Sequence, residues 1–232
     1  MAQWSSLLIV VMVIAADQAI KVWVKTNMSL HESIHVFDWF QITFIENNGM
    51  AYGMQIGSKL LLSLFRVAAI SLLAYYLVRQ LRAKARVIYT VCLSMVLAGA
   101  IGNLIDCVFY GLIFDASSPF HVSTFVPFGS GYAQVFMGKV VDMFYFPLIV
   151  TTYPEWVPFW GGDDFIFFSP VFNLADASIS VGVVMLLLFC RREIGSLSLS
   201  TEAKPVSESD SSPSGHNPLA SENNPSESQI KE

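Results

Sequence analysis

Four long apolar segments constrain the fold of this chain more than any other feature of its sequence. They cover residues 4–24, 58–78, 87–105 and 171–190. An α-helix rises 1.5 Å per residue, so about 20 apolar residues cross the ~30 Å hydrocarbon core of a bilayer. The chain is 13% charged and 54% hydrophobic, whereas a soluble domain is about 25% charged. The sequence therefore predicts a mainly α-helical membrane protein with four transmembrane helices.

Basic residues set the expected orientation of these helices. Three Arg and one Lys lie in the link at residues 79–86, and Arg191 and Arg192 follow the fourth apolar segment. Loops rich in Lys and Arg stay on the cytoplasmic side. Both termini are therefore predicted to be cytoplasmic, and residues 25–57 and 107–169 become outer segments.

The outer segments and the C-terminal end differ in composition. Residues 25–57 include SIHVFDWFQITFI, whose β-branched and aromatic residues favour short strands or a hairpin. Residues 107–169 form a long loop rich in Trp and Tyr, which favour the membrane surface. Residues 193–232 are rich in Ser, Pro, Glu and Asn and are predicted to be a disordered tail. We thus expect one membrane domain, residues 1–192, followed by this tail.

Several function classes find little support in the sequence. No basic face suggests nucleic-acid binding. Cys92, Cys107 and Cys190 stand singly, with no CxxC and no metal-ligand spacing to histidine, so a thiol oxidoreductase and a metal site are not expected. We interpret these cysteines as small apolar residues in or near helices. A small transporter or channel subunit remains an alternative, because ionisable residues within membranes often mark ion paths.

Polar residues gather near the outer ends of the predicted helices. A carboxylate at the centre of a membrane helix costs about 2.5–3.5 kcal/mol, so each one needs a partner or a function. The group comprises Asp17, Lys21, Asn103, Asp106, Asp142, Asn173, Asp176 and Ser180. These residues come from four separate stretches of chain yet fall within about two helical turns of one membrane face. We expect them to form a cluster.

Spacing favours structural roles for most of this cluster. Asp17 and Lys21 are four residues apart and are predicted to form an ion pair on one helix face. Asn103 and Asp106 suggest a helix cap with a hydrogen-bonded carboxylate. Asn173 is positioned to cap the N-terminus of the fourth helix.

Asp142 and Asp176 differ from the other acidic residues. Neither has a Lys or Arg at helical spacing to neutralise it. If the outer loop folds back over the helix ends, the two carboxylates can face each other and share one proton. An ionised carboxylate then activates water while a protonated one polarises a carbonyl, as in aspartic proteases. The sequence permits this pairing without requiring it.

At these residues the chain resembles the bacterial lipoprotein signal peptidases, or signal peptidase II. The family motifs D-Q-x-x-K, N-x-G-x-A-[FY], G-N-x-x-D-R, V-V-D and F-N-x-A-D appear in order as DQAIK, NNGMAY, GNLIDC, VVD and FNLAD. The resemblance covers roughly residues 5–192. It implies four membrane helices, an outer-face β-cradle resting on the membrane and an extended periplasmic loop that acts as a lid.

The resemblance also implies the chemistry. The family's catalytic aspartates correspond to Asp142 and Asp176. Supporting or substrate-binding roles fall to Asn47, Gly49, Ala51, Asn103, Asp106, Asn173, Asp17 and Lys21. Such an enzyme cleaves diacylglyceryl-modified prolipoproteins just before the lipidated cysteine, on the periplasmic side of the inner membrane. It needs no cofactor or metal, and a monomer is expected to suffice.

Two departures from the family pattern stand out. The arginine that ends the third motif is Cys107 here, and Arg66, deep in the second apolar segment, is one candidate for supplying that charge. Arg66 otherwise either pairs with a carboxylate or extends towards the interface. In addition, 35 residues separate Asp106 from Asp142. A noncatalytic lipid-binding relative is the closest alternative, although it would not need both aspartates.

Overall fold

The computed structural model describes residues 2–48, 59–152, 154–156, 162, 164–167, 170–193 and 195. Its helices are α1 (Ala2–Asn27), α2 (Lys59–Arg82), α3 (Val87–Ile105), α4 (Gly111–Ile113) and α5 (Leu174–Phe189), and a π-helix (Asp106–Tyr110) joins α3 to α4. Its strands are β1 (Ser33–Phe37), β2 (Phe40–Asn47), β3 (Val140–Tyr145), β4 (Ile149–Thr152), β5 (Asp164–Phe167) and β6 (Val171–Phe172). The predicted tail lies outside the described residues, apart from residues 193 and 195.

Three helical stretches are long and apolar enough to cross a membrane, and the chain is a multi-pass membrane protein. They are Trp4–Asn27, Lys59–Arg82 and Val87–Ile113. The third passes through the π-helix into α4, so the outer segment predicted to start at residue 107 begins as a continuation of this helix.

The fourth predicted helix is shorter than the sequence suggested. α5 has 16 residues, or ~24 Å at 1.5 Å per residue. Val171–Phe172 form β6 instead of the first helical turn, because they pair with β3. Asn173 then caps α5, so this helix begins three residues later than expected.

Small residues allow α3 to pack closely against α5. A Cβ atom at Gly99 would overlap the carbonyl oxygen of Ala175, and one at Gly102 would lie 2.7 Å from Asp17 Oδ2. Ser178 Oγ donates to the Met95 carbonyl at 2.9 Å across the same interface. Close backbone approach of this kind is how membrane helices gain packing energy without a hydrophobic driving force. It sets α5 directly against the end of α3 that holds the polar cluster.

The predicted outer hairpin is present and belongs to a larger sheet. Its strand order is β1-β2-β3-β6, with every neighbouring pair antiparallel. In the β2–β3 register, Ile45 lies opposite Asp142, and in the β3–β6 register Phe144 lies opposite Phe172. β4 and β5 form a separate hairpin. The sheet thus joins residues 33–47 to the segment that leads into α5.

A buried apolar cluster fastens this sheet to the helices. It contains Val24 of α1 and the adjoining Met28, Phe44 of β2, Val141 and Met143 of β3, and Tyr110 and Phe114 at the end of the third helical stretch. Burying one such large side chain stabilises a fold by about 1.5–3 kcal/mol. The cluster therefore fixes β3 relative to α1 and α3.

An ionic cluster lies beside this apolar one and is formed by Lys25, Glu46 and Lys139. Glu46 binds Lys25 through Oε1 and Lys139 through Oε2, the latter at 2.9 Å. Ser117 Oγ donates to Glu46 Oε1 at 3.0 Å. Burial acts to raise the pKa of Glu46, but the two lysines outweigh it and hold that pKa below its usual value. The cluster ties α1, β2 and the long outer loop together.

The loop between α4 and β3 is held by backbone hydrogen bonds. The N–H of Gly138 donates to the Cys107 carbonyl at 2.9 Å, and the N–H of Leu30 donates to the Ser118 carbonyl at 3.1 Å. Ser29 and Val122 form an isolated β-bridge. These contacts bind the loop to the C-terminal ends of α1 and α3, and its role as a lid remains a prediction.

Candidate active site

Strand pairing brings Asp142 and Asp176 to the same place. Asp142 is in β3, two residues before Phe144, and Phe144 pairs with Phe172 of β6. The chain passes from β6 through Asn173 directly into α5, whose first turn contains Asp176. The two aspartates, 34 positions apart in sequence, therefore lie on adjoining elements.

Asn173 links the two aspartates through one buried side chain. Its Oδ1 accepts the backbone N–H of Asp176 at 2.9 Å, which is the predicted N-cap. Its Nδ2 donates to Asp142 Oδ1 at 2.7 Å and to Asn103 Oδ1 at 3.1 Å. One amide group thus fixes both the helix that carries Asp176 and the carboxylate of Asp142.

Two further asparagines complete the amide contacts. Asn103 Nδ2 donates to Asp176 Oδ1 at 2.7 Å, while its Oδ1 accepts a hydrogen bond from Lys21 Nζ at 2.9 Å. Asn47 Nδ2 donates to Asp142 Oδ2 at 3.3 Å. Each aspartate therefore accepts at least one side-chain amide N–H, a contact that orients its carboxylate.

A buried ion cluster lies behind these amides and is formed by Asp17, Lys21 and Asp106. Lys21 Nζ is 2.9 Å from Asp17 Oδ2 and 2.8 Å from Asp106 Oδ2. The predicted Asp17–Lys21 ion pair is thus present. Breaking one partner of a buried ion pair typically costs about 3–5 kcal/mol. The cluster therefore holds the outer ends of α1 and α3 together.

The same carboxylates also position the two proposed catalytic residues. Asp17 Oδ1 accepts the backbone N–H of Ala175 at 2.9 Å, and Asp106 Oδ2 accepts that of Val141 at 3.3 Å. Ala175 and Val141 immediately precede Asp176 and Asp142. Each structural carboxylate thus fixes the backbone next to one aspartate of the pair.

Burial changes the protonation of Asp142. Its side chain is only 3% exposed. Burial first, and the neighbouring negative charge of Asp176 second, raise the pKa of Asp142 to about 7, although hydrogen bonds from Asn47 and Asn173 act in the opposite direction. A carboxyl group with such a pKa can hold or release its proton near neutral pH, which suits acid–base chemistry.

Asp176 faces a cavity of about 360 Å³ between α2, α3 and α5. Its polar lining comes from Arg66, Asn103 and Asp176. The rest is apolar and is supplied by Ala69, Ile70, Leu73, Val96, Ala100 and Ile179. A largely apolar cavity with a few convergent polar groups is the usual form of a binding site.

The structure brings eight of the predicted residues together: Asp17, Lys21, Asn47, Asn103, Asp106, Asp142, Asn173 and Asp176. Ser180, which the sequence placed in the same cluster, is exposed on α5. Gly49 and Ala51 lie outside the described residues. Among the described residues, no group of three or more His, Cys, Asp or Glu side chains is arranged to hold a metal ion.

Two further polar contacts lie at the site, and sequence reasoning overlooked the first of them. Gln18 Nε2 donates to Asp106 Oδ1 at 2.9 Å, and the second residue of the DQAIK motif was the signal for it. Arg66 Nη1 donates to Cys107 Sγ at 3.1 Å. The missing arginine of the third motif pointed to Arg66 as a source of that charge, although spacing along the chain could not show that Arg66 reaches Cys107.

Comparisons with known proteins agree on one family. The profile of Signal peptidase (SPase) II matches residues 9–191. A lipoprotein signal peptidase of Porphyromonas gingivalis is 48% identical over 190 residues, 82% of this chain and 84% of that protein. One of Amoebophilus asiaticus is 32% identical over 233 residues, 95% of this chain and 93% of that protein.

A solved bacterial membrane enzyme shares the fold. It was determined by the in meso method at 2.3 Å resolution and is 25% identical, with a TM-score of 0.52 over 89% of this chain and 94% of that one. The profile match spans most of the sequence and includes every motif of the cluster described above. The chain therefore belongs to the signal peptidase II family.

Proposed function

We propose that Asp142 and Asp176 are the catalytic pair with which this signal peptidase removes signal peptides from diacylglyceryl-modified prolipoproteins. The observation that carries the proposal is the buried Asn173 side chain, which donates to Asp142 and caps the helix of Asp176. Relatives that are 48% and 32% identical to this chain are lipoprotein signal peptidases. The scissile bond is the one just before the lipidated cysteine.

The proposed reaction needs one ionised and one protonated carboxyl group. Asp142, whose pKa is raised to about 7, supplies the protonated group. Asp176 lies in the first turn of α5, where the helix dipole accommodates negative charge. Asp176 takes a proton from a water molecule, whose oxygen attacks the carbonyl carbon, while Asp142 donates its proton to the carbonyl oxygen.

The resulting tetrahedral intermediate then collapses. The C–N bond breaks, the proton taken up by Asp176 passes to the cysteine nitrogen, and Asp142 recovers its proton from the gem-diol. The products are a signal peptide with a free carboxylate and a lipoprotein whose lipidated cysteine has a free amine. Every atom of the consumed water is accounted for, and the pair returns to its starting state.

The other residues of the site fill supporting roles in this proposal. Asn47, Asn103 and Asn173 orient the carboxylates or hold the substrate backbone. Asp17, Lys21 and Asp106 hold the elements in register. Gly49 and Ala51 allow the substrate backbone to approach closely.

The location of the site suits a lipid-anchored substrate. Arg79 and Arg82 end α2 at the opposite end from the aspartates, as do Arg191 and Arg192 after α5, which favours a cytoplasmic side there. The active site then faces the periplasm, at the depth where diacylglyceryl chains hold the cysteine in the outer leaflet. We infer four crossings of the inner membrane, a peptidase domain of residues 1–192 that acts as a monomer, and a cytoplasmic tail of residues 193–232.

Cleavage of a purified diacylglyceryl prolipoprotein, followed by gel shift, tests the proposal. Asp142→Asn and Asp176→Asn keep the side-chain shape but remove the titrating group. We expect both variants to bind substrate and to lose at least about 100-fold in kcat, the size of a lost acid–base group. Asp38→Asn is the matched control, because the Asp38 side chain is fully exposed and lies 3.3 Å from His35 Nε2, away from the site.

Either catalytic variant with near-parent activity would show that its carboxyl group is structural. A folded parent protein that binds the lipidated substrate but never cleaves it would favour a lipid-binding role instead.

A further inference from the structure

Arg66 is a charged residue at a position where charge is energetically unfavourable, within an apolar helix. It is the only charged residue between Lys59 and Arg79, and it lies within a helical stretch able to cross the membrane. A cation at the centre of such a helix costs about 2.5–3.5 kcal/mol. Its neighbours Leu64 and Phe65 are exposed on the outside of the molecule, whereas Arg66 is half-buried. Arg66 thus points inward, and its retention there calls for a role.

The guanidinium of Arg66 reaches the end of α3. Nη1 donates to the sulfur of Cys107, which is only 1% exposed, at 3.1 Å. Cys107 directly follows Asp106 of the buried ion cluster. A thiol sulfur is a weak hydrogen-bond acceptor, and a guanidinium has five N–H donors. The contact therefore orients Arg66, and the five donors of a guanidinium can serve several acceptors at once.

Arg66 also shares a cavity with the proposed catalytic pair. It lines the same space as Asp176 and Asn103, and the remaining wall is apolar. In such a poorly solvated space, a hydrogen bond from a guanidinium to an oxygen is stronger than in water. A substrate that fills the cavity places its backbone or lipid ester between this cation and Asp176.

We propose that Arg66 is a substrate-positioning residue that donates to a carbonyl oxygen of the substrate beside Asp176. The proposal rests on the function proposed above. The third motif of the resembling family carries an arginine where this chain has Cys107. Here the cation reaches that position from α2, and the small thiol leaves room for it. The acceptor is a carbonyl oxygen of either the peptide or the diacylglyceryl ester.

Steady-state cleavage kinetics of Arg66→Ala test this role. Losing a charged hydrogen bond to substrate should raise KM about 10- to 100-fold, with a smaller effect on kcat because Asp142 and Asp176 remain. Arg66→Lys keeps the charge and should lie between Ala and the parent. Arg79→Ala is the matched control, since Arg79 is on the same helix, is exposed and lies outside the cavity.

A second variant separates positioning from folding. The double variant Arg66→Ala/Cys107→Arg returns a cation to the same place from the end of α3. Its KM should lie within about fivefold of the parent KM, a smaller difference than the loss of one charged hydrogen bond causes. A parent-like KM in Arg66→Ala would overturn the proposal. So would a double variant that is folded, as judged by its thermal unfolding, but has a KM as high as Arg66→Ala.

Two substrates distinguish the possible acceptors. The first carries the natural diacylglyceryl esters, and the second carries ether-linked chains without carbonyl groups. If Arg66→Ala raises KM for the ester substrate but not for the ether substrate, the acceptor is the ester carbonyl. If it raises KM equally for both substrates, the acceptor is the peptide carbonyl. Asp142→Asn and Asp176→Asn are assayed in parallel, because their kcat values test the catalytic pair independently of the effect of Arg66 on KM.

Discussion

Asn173 shows how one residue serves both folding and the proposed chemistry. Its side-chain oxygen caps α5, and its side-chain nitrogen donates to Asp142 and Asn103. The residue is completely buried, so loss of either contact leaves a buried polar group without a hydrogen bond from water. These two roles can be separated by substitution, because serine is a good N-cap but has no amide N–H.

We expect Asn173→Ser and Asn173→Ala to lose activity to a similar extent, about 10- to 100-fold, since each leaves a buried carboxyl oxygen of Asp142 without its amide donor. Only the alanine variant should lose the cap as well, which lowers the free energy of unfolding by about 1 kcal/mol. Cleavage rates and thermal unfolding of both variants check this. Equal stability of the two variants would contradict the capping role.

The protonation of Asp142 predicts the pH dependence of the enzyme. Burial and then the charge of Asp176 raise the pKa of Asp142 to about 7. The proposed acid must be protonated, so kcat/KM should fall about tenfold per pH unit in the alkaline range. A rate profile in detergent or vesicles measures this. A rate that climbs steadily through neutral pH would contradict the assignment, and Asp38→Asn should follow the parent profile.

The same raised pKa affects stability in a defined direction. Folded Asp142 keeps its proton up to about pH 7, whereas the ordinary pKa of the group is 3.8. Between these values the folded state binds more protons, so this contribution to stability is lost as the pH rises. Asp142→Asn removes it, so between about pH 4 and about pH 7 the unfolding temperature of this variant should drop less than that of the parent.

At the scale of elements, the packing of α3 against α5 positions Asp176. The two helices approach so closely at Gly99 that an added Cβ would overlap the Ala175 carbonyl oxygen. Ala175 is itself held by Asp17 through its backbone N–H. Any outward shift of α5 therefore moves Asp176 away from Asn103.

We expect Gly99→Ala to destabilise the protein, although alanine favours a helix interior over glycine by about 1 kcal/mol. Overpacking at a tight contact typically costs about 1–3 kcal/mol. Catalytic activity should fall with it, because α5 is displaced. Unfolding and cleavage measurements test this, with Ala68→Leu on the exposed face of α2 as the control for added volume. A more stable and fully active Gly99→Ala variant would contradict this packing role.

The strand β6 is the element whose role the sequence concealed. Its residues, Val171 and Phe172, look like the start of the fourth apolar helix, and the predicted segment of residues 171–190 included them. Pairing with β3 makes them a strand instead, and α5 begins at Leu174. Local hydrophobicity cannot distinguish these outcomes, because an apolar pair fits either a helix or a buried strand.

At the scale of the whole molecule, the polar and apolar clusters lie at different levels along the helices. The apolar cluster of Val24, Phe44 and Val141 fixes the sheet above the helices. A second apolar cluster, which includes Leu77 and Tyr89, packs α2 against α3 at the opposite end. The proposed catalytic pair lies between these two clusters, with Asp142 on strand β3 and Asp176 in the first turn of α5.

The sequence by itself determined which segments are helical and which polar residues are energetically unfavourable within membrane helices. α3 matches the predicted residues 87–105, while α1 and α2 extend a few residues beyond the predicted 4–24 and 58–78. Their backbone hydrogen bonds continue past the last apolar residue, so the apolar run underestimates the helix. The Asp17–Lys21 ion pair and the Asn173 cap were also predictable, because both depend on contacts within about four residues.

Only the tertiary structure decided how these residues meet. The pairing of β3 with β6 brings Asp142 beside the helix of Asp176, and the approach of α2 to α3 places Arg66 against Cys107. These contacts join residues that are 34 and 41 positions apart. Apolarity and helix periodicity follow from neighbouring residues and can be read along the chain. The geometry of the site depends on strand register and helix packing, which are set by the energy of the whole assembled fold.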